Sequence, residues 1–123
     1  MSLISRVRSL SVQQGVKHPI SLGALAAKAM TQYERNCDDL KSLNRQYGAM
    51  NFINVINNSS VNIAVDLDFT TQKRFVVMAS SIVNIDMVMF QEFNITNLHT
   101  STNITDGEVR LIVGYERPLM RER

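Results

Sequence analysis

Apolar residues in the first third of the chain recur every three or four positions, and from Asn51 onward they recur every two. In the first stretch Leu22, Leu25, Ala26, Ala29, Tyr33, Cys37, Leu40, Leu43 and Tyr47 fall on one face of a helix. Lys28, Gln32, Glu34, Arg35, Asp38, Asp39, Lys41 and Arg45 fill the other. Ser21 suits the N-cap and Gly48 the position just past the C-terminus, so the pattern predicts an amphipathic helix over 21–48. The poor helix formers around Asn36–Asp39 mark where it would break. Residues 1–20 show no sustained period and read as an extended arm closed by Pro19, because the residue before a proline avoids the α region.

The period of two is clearest where Val61, Ile63, Val65, Leu67 and Phe69 alternate with Asn62, Ala64, Asp66 and Asp68, the pattern of a half-buried strand. Phe52–Ile56 precedes it across the turn residues Asn57–Ser60. Arg74–Met78, Ile82–Phe90, Glu92–Leu98 and Glu108–Tyr115 follow, the last announced by Asp106-Gly107. Six short strands in succession, without interspersed helical patterns, predict a mainly antiparallel β-sandwich or small barrel over 49–117, with a charged tail at 118–123.

With 123 residues, 45% of them hydrophobic and 20% charged, the chain suits one globular domain with a real core. Charge changes the picture more. Residues 1–50 hold seven Lys or Arg against three acids, and 51–123 hold six against eight. A basic arm on a slightly acidic body implies an anionic partner: nucleic acid, lipid or an acidic protein surface. Phosphate or membrane contact then falls to Arg6, Arg8, Lys17 and Lys28. The single cysteine, Cys37, allows no internal disulfide and suits a reducing compartment. No secretory signal or membrane span is visible, although the acid-free first fifteen residues also read like a transit peptide.

Candidate chemistry is sparse. His18, His99 and Cys37 lie far apart in sequence and carry no nucleophile signature. Asp66 and Asp68 would share one strand face about 7 Å apart, a spacing for a hard cation or an acid–base pair, or simply the wet side of the strand. No glycine-rich phosphate loop, zinc spacing or calcium loop is present, so neither enzyme nor cofactor is expected. Asn58, Asn94 and Asn103 begin Asn-x-Ser/Thr triplets, better read as turn and strand-edge residues without a signal peptide. Lys73-Arg74-Phe75 and Arg110 could face nucleic acid, but Phe90 and Phe93 fall where the core should be. Met78, Met87 and Met89 suit core filler, the commoner role, or an adaptable contact surface.

The stretches Asn54–Asp68 (NVINNSSVNIAVDLD) and Phe90–Arg117 run strand, polar Asn/Thr loop, Asp-Gly-Glu turn and closing strand. This texture resembles jelly-roll-like minor capsid or vertex (penton) proteins of bacterial and archaeal viruses. The resemblance implies a non-enzymatic structural subunit of the virion whose sandwich packs against copies of itself. Its arm would reach adjoining virion proteins, a genome or an internal membrane. Leu22, Leu25, Ala29, Tyr33 and Leu40 on the helix face are the expected subunit interface. The alternatives are a cytoplasmic nucleic-acid-binding regulatory module using the same basic residues, and a carbohydrate-binding module on the loop Asn97–Asp106. No small-molecule substrate is expected.

Overall fold

All six strands expected after Asn51 form, and two more arise from the segment that reads as arm and helix. The computed structural model describes residues 15–116. In chain order the elements are β1 (Gly15–Ser21), β2 (Met30–Tyr33), α1 (Lys41–Tyr47), β3 (Met50–Asn57), β4 (Ile63–Leu67), β5 (Arg74–Val77), β6 (Ser81–Phe90), β7 (Phe93–Asn97) and β8 (Val109–Glu116). A single 3₁₀ turn, Thr71–Lys73, leads into β5.

The strands make two antiparallel four-stranded sheets, in the orders β1-β8-β3-β6 and β2-β7-β4-β5. Pairing is nested: β4 meets β5, β3 meets β6, β2 meets β7 and β1 meets β8. The chain therefore follows the path of a long hairpin, its tip between β4 and β5, rolled so that alternate pairs fall in opposite sheets. Inward residues of both sheets share one core. Ile20, Leu111 and Val55 form one cross-strand row of the first sheet, and Ile63, Val65, Leu67, Phe93 and Ile95 come from the second. Two sheets closing over a common apolar layer are a β-sandwich.

The helix expected over 21–48 is not formed; only Lys41–Tyr47 is helical. Leu22, Leu25, Leu40 and Leu43 are all buried, so their spacing does record contact with the core. A winding segment delivers them instead. Leu22 and Leu25 lie against the loop before β8, through the Leu22 N–H to the Val109 carbonyl and a two-way pairing of Leu25 with Ile104. Residues 30–33 then add an edge strand to β7. Edge pairing and four buried leucines outweigh a weak local helix preference. The expected arm is corrected likewise at its C-terminal end, because 15–20 belong to β1; residues 1–14 and 117–123 lie outside the described residues.

β1 approaches β8 so closely that a Cβ on Gly114 would overlap the Val16 carbonyl, which is why that register position holds glycine. On the opposite side of the sheet, β6 advances four residues from Asp86 to Phe90 while β3 advances two, and Met87 takes up the bulge at φ 67°. Beyond the core, Asp68 fixes the turn after β4. Its carboxylate accepts the Gln91 N–H and the Lys73 ammonium, each at 2.8 Å. Partial burial pushes its pKa up, but the Gln91 and Glu92 backbone groups and Lys73 outweigh this, leaving it below the ordinary carboxylate value. A depressed folded-state pKa contributes stability above about pH 4 that is lost as pH falls through the lower folded value. Between pH 5 and pH 3 the wild type is expected to lose more stability than Asp68→Asn in urea titrations; equal slopes would remove Asp68 from this role.

Candidate interaction surfaces

The residues expected to form the subunit interface turn inward. Leu22, Leu25 and Leu40 are buried in the core, and Ala29 and Tyr33 pack against it, with Tyr33 stacked on Phe93 at 4.9 Å. An apolar helical face and a set of core leucines have the same spacing, and only the path of the chain distinguishes them. Burial, then Asp39 and Cys37 nearby, raise the Tyr33 pKa, in keeping with its inward position.

The basic contact residues divide. Arg6 and Arg8 lie outside the described residues. Lys17 stands 3.6 Å from Glu116 and covers the Phe52 ring at 4.7 Å, so its charge is already engaged on the outer face of the first sheet. Lys28 is exposed, in a turn closed by the Ala29 N–H on the Ala26 carbonyl, at φ 62°. Of the eight Lys and Arg among residues 15–116, five are ion-paired: Lys17, Arg35, Lys41, Lys73 and Arg74. The described body therefore presents no basic groove of unpaired cations.

The ends of the body carry a signal the sequence kept hidden. Gly15 pairs with Glu116, which sets the two ends of the described residues side by side, about 5 Å apart. Asn51 clasps the backbone of Glu116 on both sides, donating to its carbonyl and accepting its N–H at 2.7 Å each. Residues 1–14 and 117–123 together hold five arginines against one acid, whereas 15–116 hold eight cations against ten acids. Both basic segments thus start from one corner of a slightly acidic body.

Asp66 and Asp68 do not make a carboxylate pair. β4 ends at Leu67, and Asp68, at φ 55°, swings into the turn. Asp66 is 95% buried on the outer face of the second sheet and receives both Arg74 nitrogens, Nε at 2.7 Å and Nη2 at 2.9 Å. Gln32, Asn94, Asp66 and Arg74 occupy one cross-strand row there, and the Asn94 side-chain oxygen has no hydrogen-bond partner among the described residues. Among those residues no group of three or more His, Cys, Asp or Glu could hold a metal, and no helix is long and apolar enough to cross a membrane.

The loop 97–106 is occupied with its own structure. Asn97 donates to the Leu25 and Thr102 carbonyls, His99 Nδ1 accepts the Ser101 and Thr102 N–H groups, and the Asn103 oxygen accepts the Ala27 N–H. These polar groups are engaged in holding the loop's own conformation. Asn94 is buried as the second residue of β7.

One side of the sandwich is different. Exposed large apolar residues concentrate on β5, β6 and the corner between them: Val76, Met78, Ile82, Met87 and Met89, with Met87 73% and Ile82 66% exposed. Of the two roles open to the three β-region methionines, the structure gives them a surface. No known protein family matches the chain, and no curated protein or solved structure is significantly similar to it.

Proposed function

We propose that this protein is a non-enzymatic structural subunit of a virus particle, a minor capsid or vertex protein with a jelly-roll-like body. The observation that carries the reading is the nested strand order, β1-β8-β3-β6 over β2-β7-β4-β5. Eight strands wound as two Greek keys in two sheets are the jelly-roll arrangement, used in viral capsid domains and also in lectins and cupins. Within that group, the internally satisfied 97–106 loop argues against a sugar site. The absence of clustered ligands among the described residues gives no support to a cupin-type metal centre.

The basic terminal segments supply the anchoring part of the proposal. Arg6 and Arg8, joined by Arg117, Arg121 and Arg123, start from the same corner and offer a high local positive charge to a genome, an anionic internal membrane face or acidic virion proteins. The protein then resides in the virion as a homo-oligomer among other virion proteins. A cytoplasmic nucleic-acid-binding regulator remains the competing reading. It must work through the terminal arginines, because most cations of the body are already paired.

Light scattering after size exclusion on the nuclease-treated full chain, at low and high salt, tests this. A defined oligomer at both salts is expected, with Arg6→Ala/Arg8→Ala leaving the body folded but weakening capture of anionic partners. A monomer at both salts that associates only on added nucleic acid, with a steep salt dependence lost in the double variant, would replace the structural reading with the regulatory one.

A further inference from the structure

We propose that β6 is the site of two-fold self-association, in which Ile82–Asp86 pairs antiparallel with the same strand of a second copy and joins the two first sheets into one of eight strands. The inference rests on the state of the sheet edges and not on the virion reading.

An edge strand presents a row of unpaired N–H and C=O groups, and proteins that stay apart protect such rows with proline, charge, short length or a covering segment. Three of the four edges here are protected. β1 carries Lys17 and Pro19, with Asp39 of the following segment held on His18 at 3.0 Å. β2 and β5 are only four residues long, and β5 begins with Arg74. β6 has ten residues, no proline and one charged residue, Asp86. Its bulge at Met87 leaves Ser81–Asp86 as a regular, unobstructed run in register with Asn57–Phe52 of β3.

The apolar surface sits beside this run. From their exposures, Ile82, Met87 and Met89 of β6 and Met78 at the corner before it present on the order of 450 Å² of apolar side chain along this edge, whereas Val76 faces outward from the second sheet. A standard interface buries about 800 Å² per partner, and these side chains would supply roughly half of it, the newly paired backbone and the half-buried Val83 and Ile85 adding to that. The occupant must itself offer an open strand. The β1 edge of a neighbouring copy is blocked by Pro19 and the His18–Asp39 contact, which excludes head-to-tail pairing through the sheets and leaves β6 against β6.

Register follows from the faces. Opposed residues in an antiparallel pair share a face, so a two-fold axis must pass through a residue and not between two. Centring on Asn84 sets Val83 against Ile85 twice on the inward face, where both side chains are half-buried against the core rim, and leaves the bulge outside. Centring on Val83 would set Ser81 against Ile85 and waste that contact. Asn84, exposed on the outward face, then meets itself across the axis.

This makes a sharp test. The wild-type full chain is expected to sediment as a dimer at micromolar concentration. Asn84→Lys and Asn84→Asp, each placing like charges opposite one another, should both run as folded monomers with unchanged circular dichroism, and an equimolar mixture should regain the dimer mass. Hydrogen exchange gives a second readout: amides of Ile82–Asp86 pointing away from β3 become protected on self-association and exchange freely on dilution. A wild-type monomer, or a dimer that Asn84→Lys leaves intact, overturns the proposal. A larger ring insensitive to both substitutions would overturn it too, while upholding an assembly role through another face.

Discussion

Truncating Phe93 to alanine should cost about 4 kcal/mol, near the upper end for an aromatic core residue. Phe93 is fully buried on β7, stacked on Tyr33 at 4.9 Å and edge-on to Phe90 at 6.1 Å. It therefore joins the edge strand β2, its neighbour β7 and the last residue of β6 in one aromatic cluster. Removal leaves a cavity that the surrounding strands cannot close without breaking register, and the lost ring pairing adds roughly 1 kcal/mol to the transfer cost. Guanidinium unfolding at neutral pH checks this through the midpoint. A loss below about 1.5 kcal/mol would mean that the sandwich relaxes into the space, as loosely packed cores do.

Asn57→Ala is expected to cost about 3 kcal/mol although it removes no apolar surface. The Asn57 amide, fully buried at the end of β3, donates to the Val61, Val77 and Met78 carbonyls, and its oxygen accepts both the N–H and the hydroxyl of Ser59. Alanine would remove the shared amide donor from the Val61, Val77 and Met78 carbonyls and the acceptor from the Ser59 N–H, and an unpaired buried polar group costs about 1–3 kcal/mol before relaxation. The side chain also ties the turn after β3 to the corner between β5 and β6. Its loss should thus loosen the Met78–Ile82 region first, visible as faster amide exchange there than in β7. Asn57→Asp, which keeps the acceptor and removes the donors, should be at least as harmful. If Asn57→Ala melts within 2 °C of the wild type, the network is not what holds that corner.

Much of this molecule was legible from the period of its apolar residues. Alternation across Val61–Phe69, Ile82–Phe90 and Glu108–Tyr115 located strands whose ends the structure moves by two residues or fewer. β4, however, is buried on both faces and not half-buried as its alternation implied, because Asp66 is covered with Arg74 on the outer side. The helix over 21–48 misled for a physical reason. Leu22, Leu25, Leu40 and Leu43 are core residues in both readings, and periodicity reports that a side chain is buried without reporting the path by which the backbone brings it there. The expected interface on Leu22, Leu25, Ala29, Tyr33 and Leu40 failed with the helix, since contact with one's own core and contact with a neighbour select the same apolar residues.

By itself the sequence determined the β-rich class, the mainly antiparallel character of the sheets and the concentration of charge toward the ends. These depend on composition and short-range alternation, which the chain carries locally. Only the tertiary structure decided that residues 15–20 enter the sheet as β1, that Gly15 and Glu116 lie side by side, that Asp66 turns to Arg74 while Asp68 turns away, and that β6 is left as an open edge. Each of these is a relation between residues far apart in the chain. Nested pairing of β1 with β8 and β3 with β6 sets them, through hydrogen bonds and a shared core whose partners no local pattern names.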